Sequence, residues 1–368
     1  MSRRRGVIPV VAMSVWLLLA FFGPAVAQPA ADRIAALRHG VNITGWFRFP
    51  ASRDPAVLRA WLSDTAMRDL HSAGFSFVRL AVDPILLDEA GIRSALADSV
   101  RRLQRAGLAV VVSLHPVNWH LETVPEDRAR LRAAWQVLGL DLRPLDPELT
   151  FPEILNEPVF PNDPAGWQVL QHQVLAVIRA SLPGNTVVLT GQDWGSIGGL
   201  LAMVPETDPN VVYSFHFYDP AELTALAAYR PGLDQSALAR LPYPADGPAC
   251  EAAAAQAADA PTSGLMRYYC TLHWDRARIE AAIGKAAGWA RDHHATLLAG
   301  EFGASARLNR SARLAWLRDV RTISEAAGIG WALWGYDDVM GFAVSRPPGA
   351  RPMLDRDVLA ALGLAVPR

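Results

Sequence analysis

Short apolar runs recur along this chain, each ending in polar or aromatic residues and most followed by a stretch of helical spacing. The clearest is Leu108-Ala-Val-Val-Val-Ser-Leu-His115, an unbroken β-branched run of the kind that forms a strand buried on both faces. Seven others read as strands: residues 39–46, 75–81, 151–157, 186–190, 210–218, 296–301 and 329–334. Helical spacing predicts a helix over 65–73, where Met67, Leu70 and Ala73 share a face and Gly74 ends the run. Further helices are predicted over 34–37, 94–106, 125–137, 164–181, 275–290, 309–327 and 356–362. Asp54-Pro55 and Asp163-Pro164 are start signals, each a capping side chain before a proline at the first helical position. Residues 219–274, rich in alanine and proline, read as one long irregular segment, which inside a compact domain implies a functional loop.

Strands alternating with helices imply a parallel sheet with crossover helices. Eight such repeats predict an α/β fold, a (β/α)8 TIM barrel forming a single catalytic domain over 28–368. An open doubly wound sheet is the alternative. It needs a glycine-rich phosphate turn after the first strand, and His39-Gly-Val-Asn-Ile-Thr-Gly45 is a poor match to one.

Composition adds an address and removes some partners. Of 368 residues 51% are hydrophobic and the net charge is -1, with no basic stripe to meet nucleic acid. Arg3, Arg4 and Arg5 precede an apolar run from Gly6 to Phe22, and Ala25-Val-Ala27 follows as a small-x-small cleavage pattern. Residues 1–27 are therefore expected to be a signal peptide, sending the mature chain to the periplasm or outside the cell. An uncleaved membrane anchor is the alternative reading. After cleavage no stretch is apolar enough to cross a membrane. An even pair of cysteines in an exported chain, Cys250 and Cys270, favours a disulfide over two free thiols.

Chemistry on such a barrel collects at the C-terminal ends of its strands. Those ends carry Asn42 and Trp46, Arg79, His115 with Asn118 and Trp119, Asn156-Glu157, Trp194, His216 and Tyr218, Glu301, and Trp334 with Tyr336, Asp337 and Asp338 beyond it. Two glutamates at two strand ends are the minimum equipment for breaking a glycosidic bond. One carboxyl must protonate the leaving oxygen, and the other must stay ionised and attack the anomeric carbon. Glu157 is assigned the first role and Glu301 the second. Asn156 is placed to hold the sugar 2-hydroxyl, Tyr218 and Arg79 to hold Glu301 ionised, and His115 and His216 to orient carboxylates or hydroxyls. Trp334 is read as the floor of the central sugar site, because an aromatic face suits the C–H face of a pyranose. Trp46 joins the rim set. Trp119 and Trp194 are read either as sugar platforms or as core. Tyr243, Tyr268, Tyr269 and Trp274 make the 219–274 segment either a wall of the cleft or a surface decoration.

The ordered set Arg79, His115, Asn156-Glu157-Pro158, His216-Phe-Tyr218, Glu301-Phe-Gly303 and Trp334 resembles the active-site set of glycoside hydrolase family 5, the cellulase family. The resemblance runs from Gly40 to Trp334. It implies double-displacement hydrolysis with retention, the acid/base on the fourth strand, the nucleophile on the seventh, and no cofactor. The implied partner is a β-glucan or related polysaccharide or oligosaccharide, cut by a monomer, with β-1,4-glucan the first expectation. Mannan, β-1,3-glucan and an exopolysaccharide stay open. Two other classes are weighed. A metal-dependent barrel hydrolase would use His115, Glu157 and His216, but the first strand lacks a His-x-His pair. A non-catalytic glycan binder would gain nothing from two charged groups in one cleft.

Overall fold

In the computed structural model, which describes residues 29, 31–338 and 353–367, the eight apolar runs become eight parallel strands. They are β1 (His39–Phe47), β2 (Phe77–Val82), β3 (Ala109–Leu114), β4 (Thr150–Glu153), β5 (Val187–Thr190), β6 (Val211–Phe217), β7 (Leu297–Phe302) and β8 (Gly330–Leu333). Each pairs with the next, and β8 returns to β1 through His39↔Trp331 and Val41↔Leu333, closing the expected (β/α)8 barrel. The signal peptide expected over 1–27 lies outside the described residues. Among the described residues no helix is long and apolar enough to cross a membrane.

The two-residue period of the strands sorts side chains into layers. Outward positions such as Val78, Leu80, Val110, Val112, Leu189 and Leu333 pack against the helices in one large core. Inward positions at the N-terminal end form a separate apolar floor of Phe77, Ala109, Val111, Phe151, Val188, Val212, Leu298 and Ala332, with Leu37 beneath. Two residues further along the same strands the interior turns polar: Arg79, Ser113, Glu153, Thr190 and Ser214, all with no exposed surface. The working rim sits one layer above these.

Two strands break the period. In β7 the pairing with β6 runs Phe215↔Ala299 and then His216↔Glu301, so Gly300 is one residue extra. Strict alternation from Leu298 would turn Glu301 outward. The bulge turns it inward and sends Phe302 to the outer core. A Cβ at Gly300 would lie 2.3 Å from Ser214 Oγ, so any larger residue there would have to displace that hydroxyl. The second irregularity falls in β1 between Ile43 and Phe47.

The start signals work as read. Asp54 accepts from the Ala56 amide, Asp163 from Gly166, and Asn309 from Ala312, each capping the helix that follows. Asn309, part of a glycosylation-type sequence, is thus committed to a cap.

The irregular segment expected over 219–274 is instead helical. It holds Ala221–Thr224, Gln235–Leu238, Gly247–Ala255 and Ala260–Thr271. The physical reason is local: alanine favours helix, and Asp234 and Asp259 cap the helices that follow them. A Cys250–Cys270 disulfide joins the last two helices. Two tyrosines of this insertion are engaged in packing, not at the cleft. Tyr243 donates to Asp319 at 2.8 Å, on the outer helix Arg310–Ala326, and Tyr269 donates to the Pro242 carbonyl at 2.6 Å.

Candidate active site

Arg79 organises the interior. Its guanidinium has no exposed surface and spends every N–H. Nε donates to Glu153 Oε2 at 2.6 Å, and Nη1 donates to Asn42 Oδ1 at 2.9 Å and Glu301 Oε1 at 2.6 Å. Nη2 donates to Ser113 Oγ at 3.1 Å, Glu153 Oε1 at 3.0 Å and Asn156 Oδ1 at 2.8 Å. Burial alone would favour losing the proton, but the two carboxylates outweigh it and hold the charge firmly. With no donor left over for substrate, Arg79 holds carboxylates and amides in place, Glu301 among them as the sequence suggested.

Glu301 is nearly sealed, with Oε1 on Arg79 and Oε2 accepting from Tyr218 Oη at 2.8 Å. Burial first, then the charges of Glu301 and Glu157, push the Tyr218 phenol well above its ordinary range, so it remains a donor. Glu157 follows β4 on an irregular stretch, since the strand ends at Glu153 and not at Glu157. The amide of Asn156 still reaches back to the Leu114 carbonyl at 2.9 Å, which keeps the Asn156-Glu157 pair at the rim. Glu157 is the more open carboxylate and shares a 3.0 Å contact with His216 Nδ1. His216 Nδ1 is also 3.6 Å from Glu301 Oε2. Burial opposes a proton on His216, but Glu301 and Glu157 together raise its pKa above the ordinary value. Oxygens of the two carboxylates and the imidazole nitrogen all lie within 4.8 Å of one another.

His115 differs from His216. Both its ring nitrogens are buried without a partner, and its ring lies 19° from parallel to Trp334 with centroids 6.2 Å apart. Burial first, and then Arg79, Arg48 and His216, push its pKa well below the ordinary value, leaving a neutral imidazole. Such a group binds its proton more readily unfolded, so its share of stability is complete above about pH 6.5 and is lost as pH falls below that. We expect the denaturant midpoint of the wild type to fall more steeply from about pH 6.5 to about pH 5 than that of His115→Asn. Parallel curves for the two proteins would refute the assignment.

Trp334 is held by a 2.8 Å bond from its Nε1 to Asp338 Oδ1. Asp337 accepts from the Thr44 and Gly45 amides at 2.9 and 2.6 Å, tying the end of the barrel to its start. A cleft of about 440 Å³ opens beside Glu157, lined by Arg48, His115, Trp119, Asn156 and Trp194 among others. Trp194 stands 58% exposed over it, and Trp119 is half-buried between it and a neighbouring groove. None of the described residues lining it comes from 219–274.

One rim assignment is corrected. Trp46 does not face the cleft; it is fully buried, donates to the Leu58 carbonyl at 2.7 Å and stacks on Trp61 at 5.2 Å. The register break in β1 turns it outward, into the helical layer. Glu153 was missed as a functional residue, although a signal existed: it lies two residues beyond the inward Phe151, on the face that carries Arg79.

Glu157, His216 and Glu301 are also the one cluster of described residues whose donor atoms are close enough to share an ion. Both Glu301 oxygens are already taken, one by a buried guanidinium whose charge would oppose a cation. The arrangement suits a pair of carboxylates held at different exposures, which is what acid/base and nucleophilic work on one bond requires.

Comparisons with known proteins bear on which bond. The model of the family described as cellulase (glycosyl hydrolase family 5) matches residues 39–338. Endoglucanase 3 of Fibrobacter succinogenes is 23% identical over 343 residues, covering 84% of this chain and 51% of that protein, so the chain spans about half its length. Endoglucanase C of Acetivibrio thermocellus is 23% identical over 323 residues, covering 82% of this chain and 92% of that protein. Among solved structures, endoglucanase Cel5A of Thermotoga maritima superposes with a TM-score of 0.73 at 22% identity, covering 91% of this chain and all of that one. That enzyme has been captured with cellobiose and with mannotriose.

Proposed function

The chain belongs to glycosyl hydrolase family 5, the cellulases, and on that premise we propose that it is an exported, retaining endo-β-1,4-glucanase. It is a glycoside hydrolase of the (β/α)8 type. The observation that carries the stereochemical reading is the separation of the carboxylates. Oxygens of Glu157 and Glu301 within 4.8 Å match the spacing of about 5 Å typical of retaining enzymes and leave no room for the water that an inverting pair must hold.

Glu301 attacks the anomeric carbon while Glu157 delivers a proton to the departing oxygen. The glycosyl–Glu301 ester forms, and Glu157, now a base, takes a proton from a water whose oxygen attacks the anomeric carbon, breaking the ester and freeing Glu301 as carboxylate. Arg79 and Tyr218 each donate to one Glu301 oxygen and so aim the carboxylate. His216 sits against Glu157 as a proton leaves and returns. Asn156, its Oδ1 occupied by Arg79, is left with its amide N–H groups for a sugar hydroxyl. The unpartnered nitrogens of His115 and the Trp334 ring beside it make one wall of the central site. Trp194 and Trp119 extend the cleft as aromatic platforms. The mechanism calls for no cofactor, and the protein acts as a monomer in the periplasm or outside the cell.

A second reading, mannan, is favoured by the mannotriose complex of the Thermotoga enzyme. Both are tested by assaying the chain without residues 1–27 on carboxymethyl-cellulose, barley β-glucan, laminarin and glucomannan, with the anomer formed first read by NMR. We expect the β anomer, and highest activity on the two β-1,4-glucan-containing substrates. Release of the α anomer would sink retention; activity confined to laminarin or glucomannan would sink the β-1,4-glucan assignment.

A further inference from the structure

One cation in the cleft touches neither catalytic carboxylate, although it lies within the field of Glu301, Glu157 and Asp338. Arg48 follows β1, where the amides of Arg48 and Phe49 both return to the Thr44 carbonyl at 3.2 and 3.0 Å. This tight turn delivers its side chain to the cleft. Arg48 is the single arginine or lysine among the described residues lining that space. Its guanidinium carbon lies 4.8 Å from the centre of the Phe49 ring, which positions it without using a donor. Its Nε is buried and has no acceptor, and it forms no ion pair with a described carboxylate. Arg79, one layer below, is the contrast: every donor is spoken for.

The Nη groups of this half-buried guanidinium have no acceptor among the described residues and its side chain lines the cleft, while its buried Nε goes unpaired, a cost that an acceptor arriving in the cleft would offset. Its planar fork matches a carboxylate, whose two oxygens accept together. We propose that Arg48 forms a subsite for an anionic sugar, so that the enzyme accepts β-glucan chains bearing carboxylates such as glucuronosyl or carboxymethyl groups next to the cleaved bond. The proposal rests on the glycanase reading and specifies its substrate further. Arg48 also explains how an acidic chain would be tolerated at all. Glu122 and Glu157 line the same cleft and repel anions, and Arg48 is the group that offsets them.

The test compares two soluble substrates, a neutral cello-oligosaccharide and the same chain with one glucosyl unit oxidised to glucuronosyl. The readout is the ratio of their kcat/KM values in wild type, Arg48→Gln and Arg48→Lys. We expect the acidic-to-neutral ratio to fall roughly tenfold or more in Arg48→Gln. Arg48→Lys should fall between, since it keeps a point charge and loses the fork. Raising the salt from about 0.01 M to about 1 M should shrink the wild-type ratio and leave that of Arg48→Gln almost unmoved. A ratio equal in all three proteins, with the neutral substrate still cleaved, overturns the subsite and spares the glycanase reading. A wild type that cleaves neither chain overturns the glycanase reading itself.

Discussion

Glu301→Gln is expected to lower kcat by about 10⁴-fold or more on every glycoside offered, while Glu157→Gln will be selective. The asymmetry follows from what each group gives. A nucleophile is needed whatever departs, so no choice of leaving group rescues its loss. An acid is needed only where the departing oxygen is a poor leaving group, and such assistance is worth about 10²–10⁴-fold. On a cello-oligosaccharide Glu157→Gln should therefore lose activity by that factor. On a dinitrophenyl β-cellobioside, whose phenolate leaves unaided, the first step should run at near wild-type rate and a burst of phenolate should appear as the ester on Glu301 accumulates. The geometry is consistent with this division, because the attacking carboxylate is sealed between Arg79 and Tyr218 and the other is open to the cleft. Equal losses on both substrates in Glu157→Gln would reject the assignment of roles.

The second large effect concerns stability as much as rate. Arg79→Met is expected to destabilise the fold by about 3–5 kcal/mol, because it strands Glu153 and Glu301 in the interior without a counter-charge. The variant should also be inactive, since Glu301, Asn156 and Asn42 all lose the donor that places them. Adding Glu153→Gln removes one of the stranded charges. The double variant should then be more stable than Arg79→Met alone and just as inactive, a non-additivity expected of partners in direct contact. Denaturant midpoints for the four proteins of this cycle decide the matter. An Arg79→Met protein as stable as wild type would mean that the buried carboxylates are neutral and that the network described here is not ionic.

Much of this was readable beforehand, and the reasons are specific. A strand such as β3 is apolar on both faces because both faces are covered, so Val110–Val112 announces itself without any alternation to detect. Residues beyond a strand end, like Asn156, Glu157 and His115, stand out because nothing in packing asks for them there. Glu153 did not stand out, because one carboxylate inside an apolar run looks like a flaw until its partner on another strand is in view; Arg79 lies 74 positions away. The helices at 219–274 were hidden by prolines that turn out to stand at helix starts, as Pro248 and Pro261 do. Trp46 was misplaced for a different reason. Counting by twos from Asn42 sends it inward, and the irregularity after Ile43 undoes the count.

That irregularity has a counterpart in β7, and together they show that side-chain parity is a quantity the barrel spends deliberately. Around Gly300 the inward positions change from even to odd: Leu298 and Glu301 both face the axis although three positions separate them. A deletion of Gly300 would restore uniform parity and leave Glu301 facing the axis, two places beyond Leu298, with Phe302 still outward. Transplanting this nucleophile onto a regular strand of another barrel therefore calls for a carboxylate two or four places beyond the floor residue, not three.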